Sequence, residues 1–102
     1  NALVKQYRHL LSLDGVDLVF TPAGLDAVAE EALKRKTGAR ALRTIIEETL
    51  LDVMFELPSL QGVERCVIDA DTIREKKRPT LLAASGQPVD DWSASQQKRE
   101  VA

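Results

Sequence analysis

The sequence predicts an α+β domain, and three observations carry the prediction. Apolar residues recur at helical spacing in three separate stretches. Two shorter stretches read as half-buried strands, and a third short strand is expected near residue 80. Turn and breaker residues, among them Asp14-Gly15, Thr21-Pro22, Pro58-Ser59 and Gln61-Gly62, fall between these stretches. At 102 residues the chain is one domain with a single modest core.

The first helix follows from Leu3, Val4, Tyr7, Leu10 and Leu11 on one face and Lys5, Gln6, Arg8 and His9 on the other, with Asn1 placed to cap it. His9 sits among polar residues and reads as a solvated side chain. Val16, Leu18 and Phe20 then alternate as a short strand. Thr21 is positioned to cap the next helix, and Pro22 suits its first position because its missing N–H would have no partner there. Leu25, Val28, Ala29, Ala32 and Leu33 form the expected buried stripe of this second helix. On its outer face Glu30 and Glu31 each precede a cation, Lys34 and Arg35, by four residues, a spacing worth about 0.2–0.5 kcal/mol per pair.

Gly38 either ends the second helix in a left-handed conformation or lies just inside the third with Thr37 as its cap. The good helical run after Thr37 favours the second alternative. The third helix is predicted over residues 38–57, stopped by Pro58-Ser59, with Leu42, Ile45, Ile46, Thr49, Leu50, Val53 and Leu57 buried. Ala41, Leu51, Met54 and Phe55 widen the apolar surface beyond one face, so this helix is central or meets a partner. Residues 63–69 read as the second strand, with Cys66 and Ile68 on one face. Residues 70–75 form a helical turn capped by Asp71, and Lys76, Lys77 and Arg78 read as a solvated basic loop. Residues 80–83 make an edge strand, since Pro79 has no N–H to give a ladder. The division is therefore a domain at residues 1–84 and a polar, flexible tail at residues 85–102, in which Trp92 is exposed.

Composition removes several function classes. The net charge of -2, from 14 Lys and Arg against 16 Asp and Glu, argues against binding nucleic acid through a general basic surface. Cys66 is the only cysteine and His9 the only histidine, so neither an intrachain disulfide nor an ordinary zinc site is expected. A lone strand thiol is a small buried hydrophobe first. No apolar run approaches the roughly 20 residues of a membrane span, and no signal peptide is visible. The start Asn1-Ala2-Leu3-Val4, already helical in pattern and without Met, reads as part of a longer protein. There is no GxxxxGK[ST] loop and no HExxH, and the paired carboxylates are adjacent and so diverge. No catalytic residue is expected in the domain itself.

What does stand out is the junction Lys36-Thr37-Gly38-Ala39-Arg40. Lys34, Arg35, Lys36, Arg40 and Arg43 crowd a helix start, where unpaired N–H groups already carry partial positive charge. Cations suit the other end of a helix, so the crowding points to an anion, and phosphate is the anion a helix start best accommodates. With Lys34 and Arg35 assigned to Glu30 and Glu31, and Arg43 to Glu47, Lys36 is left open and Arg40 remains as the free cation. The plain alternative is a solvated surface arginine.

Through Ala41-Leu42-Arg43 this junction resembles the sensor-2 segment of the ClpX family of AAA+ ATPases, the ATP-binding, protein-unfolding subunits of the Clp protease. Asn1-Ala2-Leu3-Val4-Lys5-Gln6-Tyr7, Asp14-Gly15-Val16-Asp17-Leu18, Leu50-Leu51-Asp52-Val53-Met54 and Glu56-Leu57-Pro58-Ser59 extend the resemblance over residues 1–82. The HslU family has a similar triplet after a longer loop, whereas Leu33-Lys34-Arg35-Lys36-Thr37 here runs straight into Gly38. Ala41 stands where Gly is commoner, and Ala favours the helix.

The resemblance implies an AAA+ C-terminal small domain whose Arg40 is the sensor-2 arginine, reaching ATP phosphates from a turn with Gly38 and Ala39. It implies ATP or ADP with Mg in the intact parent. It also implies a homohexamer in which the small domain meets the large domain of its own chain and that of the neighbouring subunit. The Clp peptidase and unfolded proteins follow as partners through the parent, with no nucleic acid and no membrane, in a bacterial cytoplasm or an organellar matrix. The Walker motifs, pore loops and arginine finger belong to other parts of such a parent, which is the ATPase. The alternatives are the small domain of an HslU-like ATPase and a non-enzymatic adaptor that binds protein through the third helix and residues 76–78.

Overall fold

A computed structural model describes residues 2–38, 40–89 and 92. Asn1, Ala39 and the tail beyond Trp92 lie outside the described residues, and with them the Asn1 cap and most of the tail expectation.

The architecture is α+β, with elements in the order α1 (Ala2–Ser12), β1 (Asp17–Phe20), α2 (Pro22–Lys34), α3 (Arg40–Glu56), a 3-10 turn (Leu57–Ser59), β2 (Val63–Ile68), α4 (Ala70–Arg74) and β3 (Thr80–Ala83). The sheet order is β1-β2-β3. β2 runs parallel to β1, with Leu18 beside Cys66 and Phe20 beside Ile68, and antiparallel to β3, with Cys66 beside Leu81. A parallel pair needs a long crossover, and α2 with α3 supplies it. The helices bury one sheet face: Leu18, Phe20, Cys66, Ile68 and Leu81 belong to one cluster with Leu11, Val28, Ile46, Leu50 and Val53. Burial pushes the Cys66 thiol up to about 12, which leaves it a neutral, inert core group.

Local chemistry sets the boundaries. The Thr21 hydroxyl accepts the Gly24 N–H at 2.9 Å with Pro22 in the first turn, as expected. α4 is capped by Asp69 instead of Asp71: the Asp69 carboxylate accepts the Thr72 N–H at 3.0 Å, and the Thr72 hydroxyl accepts the Asp69 N–H at 3.3 Å. Asp69 has left the sheet at the end of β2, so it has the extended backbone that a cap requires, while Asp71 is already helical.

α2 is rotated from its expected face. Of the expected stripe Val28 is buried and Ala32 packs partly buried against the core, whereas Leu25 and Ala29 are exposed, Leu33 is 87% exposed, and Gly24 and Ala27 are buried instead. The cause is a close approach. A Cβ on Gly24 would stand 2.4 Å from the Ile68 carbonyl oxygen, so the glycine lets α2 lie against the end of β2. Two neighbouring apolar stripes competed, and the one with small residues won. On α3 the predicted stripe is buried apart from a half-buried Leu42, while Leu51, Met54 and Phe55 reach the surface.

Arg78 and Trp92 depart furthest from expectation. Arg78 is buried instead of solvated: its Nε lies 3.3 Å from Asp52 Oδ2, its Nη2 bonds to Glu56, and its guanidinium stacks 3.6 Å from the Trp92 ring centroid. Trp92 is buried instead of exposed and donates from Nε1 to the Pro79 carbonyl at 2.6 Å. Residues 87–89 fold back on β3, with the Val89 N–H donating to Leu81 O at 3.0 Å and the Ala83 N–H to Gln87 O at 2.8 Å. A buried charge needs paired surroundings, and Asp52 by ion pair and Glu56 by a charged hydrogen bond, one turn apart on α3, provide them under an aromatic cover.

Candidate functional site

The junction between α2 and α3 is built by a charge fork and a left-handed turn. α2 ends at Lys34, and Arg35 turns the chain out of the helix with extended backbone angles. Its guanidinium does three things at once. Nη2 and Nη1 donate to the two carboxylate oxygens of Glu48 on α3 at 3.0 and 3.4 Å, and Nε donates to Glu31 on α2 at 3.4 Å. The hydrogen bond to Glu48 is the main reason that Arg35 holds its proton more tightly than a free arginine. Gly38 has φ +66, so it lies outside α3, and its carbonyl accepts the Ala41 N–H at 3.0 Å. The favoured placement inside the third helix is thus corrected: at that φ only glycine is unstrained, and the left-handed step redirects the chain between the helices. Ala39 lies outside the described residues.

Arg40 is the first residue of α3 and is exposed, and no acidic residue occupies the first turn. The Thr44 hydroxyl donates to the Arg40 carbonyl at 3.0 Å, an ordinary helical back-bond that leaves the guanidinium unengaged. Arg40 makes no ion pair with any described residue, and its charge sits at the positive end of the helix dipole.

Elimination, however, does not isolate it. Glu31 pairs with Arg35 as expected, but Glu30 reaches across to Arg74 on α4 at 2.9 Å instead of to Lys34. Arg43 and Glu47 form no ion pair, although both act on Tyr7 of α1, whose hydroxyl is pushed up first by burial and then by the Glu47 carboxylate, with Arg43 opposing. Lys34, Lys36 and Arg43 are exposed and, like Arg40, unpaired among the described residues. Exposed pairs are worth so little that solvation competes with them. What distinguishes Arg40 is its position at the helix start.

Arg40 and the neighbouring cations concentrate positive charge at the start of α3. Among the described residues no group of three or more His, Cys, Asp or Glu side chains could hold a metal ion. Among the described residues no helix is long and apolar enough to cross a membrane. The Arg35–Glu48 fork and the Arg78 cluster were both missed by the sequence reading. The one available signal was an acidic pair, Asp52 and Glu56, on an otherwise apolar stretch of α3.

Comparison with known proteins agrees with this fold. A model of the family described as the C-terminal, D2-small domain of ClpB protein matches residues 1–68. The ATP-dependent Clp protease ATP-binding subunits ClpX of Borrelia duttonii and Borrelia recurrentis are each 48% identical over 93 residues, which is 91% of this chain and 22% of the relative. ClpX 3 of Methylococcus capsulatus is 48% identical over 84 residues, 82% of this chain and 19% of the relative. The chain thus spans about one fifth of the length of the curated relatives it matches. With the family model over residues 1–68 and these relatives matching through nearly all of its length, the chain belongs to the family of the C-terminal small domain, D2-small, of ClpB, in the form found in ClpX.

Proposed function

We propose that this small domain supplies the sensor-2 arginine of a ClpX-type ATP site, and that Arg40 is that residue. The observation that carries the proposal is Arg40 itself: exposed, first in α3, without an acidic neighbour in its turn, and unpaired among the described residues. Its donor set fits a nucleotide phosphate, since a guanidinium offers paired N–H donors and the helix start adds positive potential. Gly38 serves by its left-handed turn, and Ala39 completes the link. ATP or ADP with Mg would be bound mainly by the large domain of the parent, and Arg40 would hold terminal-phosphate charge and convert its presence into a preferred angle between large and small domains.

On this proposal the small domain has no catalytic residue of its own and acts within a parent ATPase. The relatives' name supplies the wider setting, an ATP-binding subunit of an ATP-dependent Clp protease. A homohexamer in the cytoplasm, passing unfolded substrates to the peptidase, is the corresponding assembly. The test is Arg40→Ala in the full-length protein. ATP-driven unfolding should fall sharply while the domain's melting temperature stays put; normal unfolding activity would sink the assignment.

A second reading has an observation of its own. Leu51, Met54 and Phe55 leave α3 with apolar surface, Phe55 being 65% exposed, which suits an adaptor that binds a protein directly. A partner captured by the isolated domain with neither ATP nor a ring-forming ATPase would favour it.

A further inference from the structure

We propose that Arg35 is a positioning residue for Arg40: by bridging Glu31 and Glu48 it clamps the α2–α3 turn and fixes the direction in which α3 presents its first residue. The proposal rests on the sensor reading of Arg40 and adds to it a residue that touches no nucleotide.

The chain between the two helices is short and contains a left-handed glycine, so the covalent link alone leaves their angle soft. A residue at the end of α2 that grips α3 well inside the helix removes that freedom. Glu48 is eight positions beyond Arg40, about 12 Å along the helix at 1.5 Å per residue, so the fork holds α3 at a second point far from the turn. The geometry is bidentate toward Glu48, at 3.0 and 3.4 Å, with Glu31 at 3.4 Å as the anchor on the α2 side. All three side chains are about one-third exposed or less. A planar fork suits this task because its donors are fixed relative to one another, which a lysine ammonium does not offer.

The same clamp sorts the charges. Arg35 has three of its five N–H donors committed to carboxylates, which turns its guanidinium toward Glu31 and Glu48 and away from competition with Arg40 for an anion. Glu48 is neutralised by contact, so its carboxylate does not oppose phosphate charge at the helix start. Small displacements of a charge-reading group matter because binding and rate depend steeply on its placement.

The test is a double-mutant cycle in the full-length protein, reading KM for ATP and kcat separately. Arg35→Met and Glu48→Ala should each raise KM about fivefold, and the double variant should raise it by the same factor, because either single change already removes the clamp. A merely structural role would lower the active fraction, and hence kcat, and leave KM where it was. KM within twofold of the parent value in the single variants, or a double effect near the product of the two, overturns the clamp. Arg40→Ala in the same assay separates the two ideas. A defective Arg40→Ala beside normal Arg35→Met rejects the clamp and keeps the sensor; a normal Arg40→Ala rejects the sensor and the clamp with it.

Discussion

Arg40 and Arg78 are the same side chain at opposite ends of α3, in opposite surroundings. Arg78 lies against the C-terminal half of the helix, buried between Asp52 and Glu56 and covered by Trp92. Arg40 stands at the N-terminus of α3 in solvent, with no carboxylate among the described residues placed for it. Taking a charge out of water is costly unless its partners are in place, so Arg78 is committed to the fold and is unavailable for an external ligand. Arg40 contributes little to the fold and is available. The difference teaches that an arginine's role here follows from what the tertiary structure puts around it, because both were met in the sequence among other cations.

Substitutions that interrogate the buried end should have the largest effects. Arg78→Ala should destabilise the chain by about 3–5 kcal/mol, read by thermal denaturation, since it leaves buried carboxylate without its cation. A loss below about 1 kcal/mol would erase the contrast with Arg40. Trp92→Ala should cost about 3 kcal/mol. Because Trp92 is the only tryptophan, native emission should be blue-shifted and move to the red on unfolding. Emission already at the exposed position in the native protein would contradict its cover over Arg78.

A smaller effect is expected where backbone approach, not charge, is at stake. Gly24→Ala should cost about 1–3 kcal/mol in the same denaturation measurement, because the new methyl meets the Ile68 carbonyl and α2 must back away. An unchanged melting temperature would mean that the α2 face is less tightly set than its geometry indicates. Arg40→Ala should be the mildest for stability, within about 0.5 kcal/mol of the parent, and slightly stabilising if the helix dipole dominates. A loss comparable to that of Arg78→Ala would make Arg40 a structural residue and would remove the comparison.

Much of the fold was legible because local rules governed it. Thr21-Pro22 caps α2 in the expected way, Cys66 and Ile68 share the buried face of β2, and the edge position of β3 follows from Pro79. The misplaced α2 face came from two apolar stripes of nearly equal quality. Leu25 and Leu33 are the larger side chains, yet Gly24 and Ala27 are buried, and at Gly24 only a glycine allows the approach to the Ile68 carbonyl. At the candidate site, the position of Arg40 at a helix start was readable. Its selection by elimination was not, since Glu30 found Arg74 across the fold and Arg43 and Glu47 stayed apart.

By itself the sequence determined the period of each element, the breaks between them and the concentration of cations where α3 begins. These depend on neighbours within about one helical turn, and such interactions are written in spacing. Tertiary structure alone decided which arginine is buried, which is clamped and which stays open. Arg35 meets Glu48 thirteen positions away, Arg78 meets Asp52 and Glu56 across the α3–β3 gap, and Arg40 meets no described carboxylate. Charges are sorted by distance in space, and over that range the chain order carries no distance.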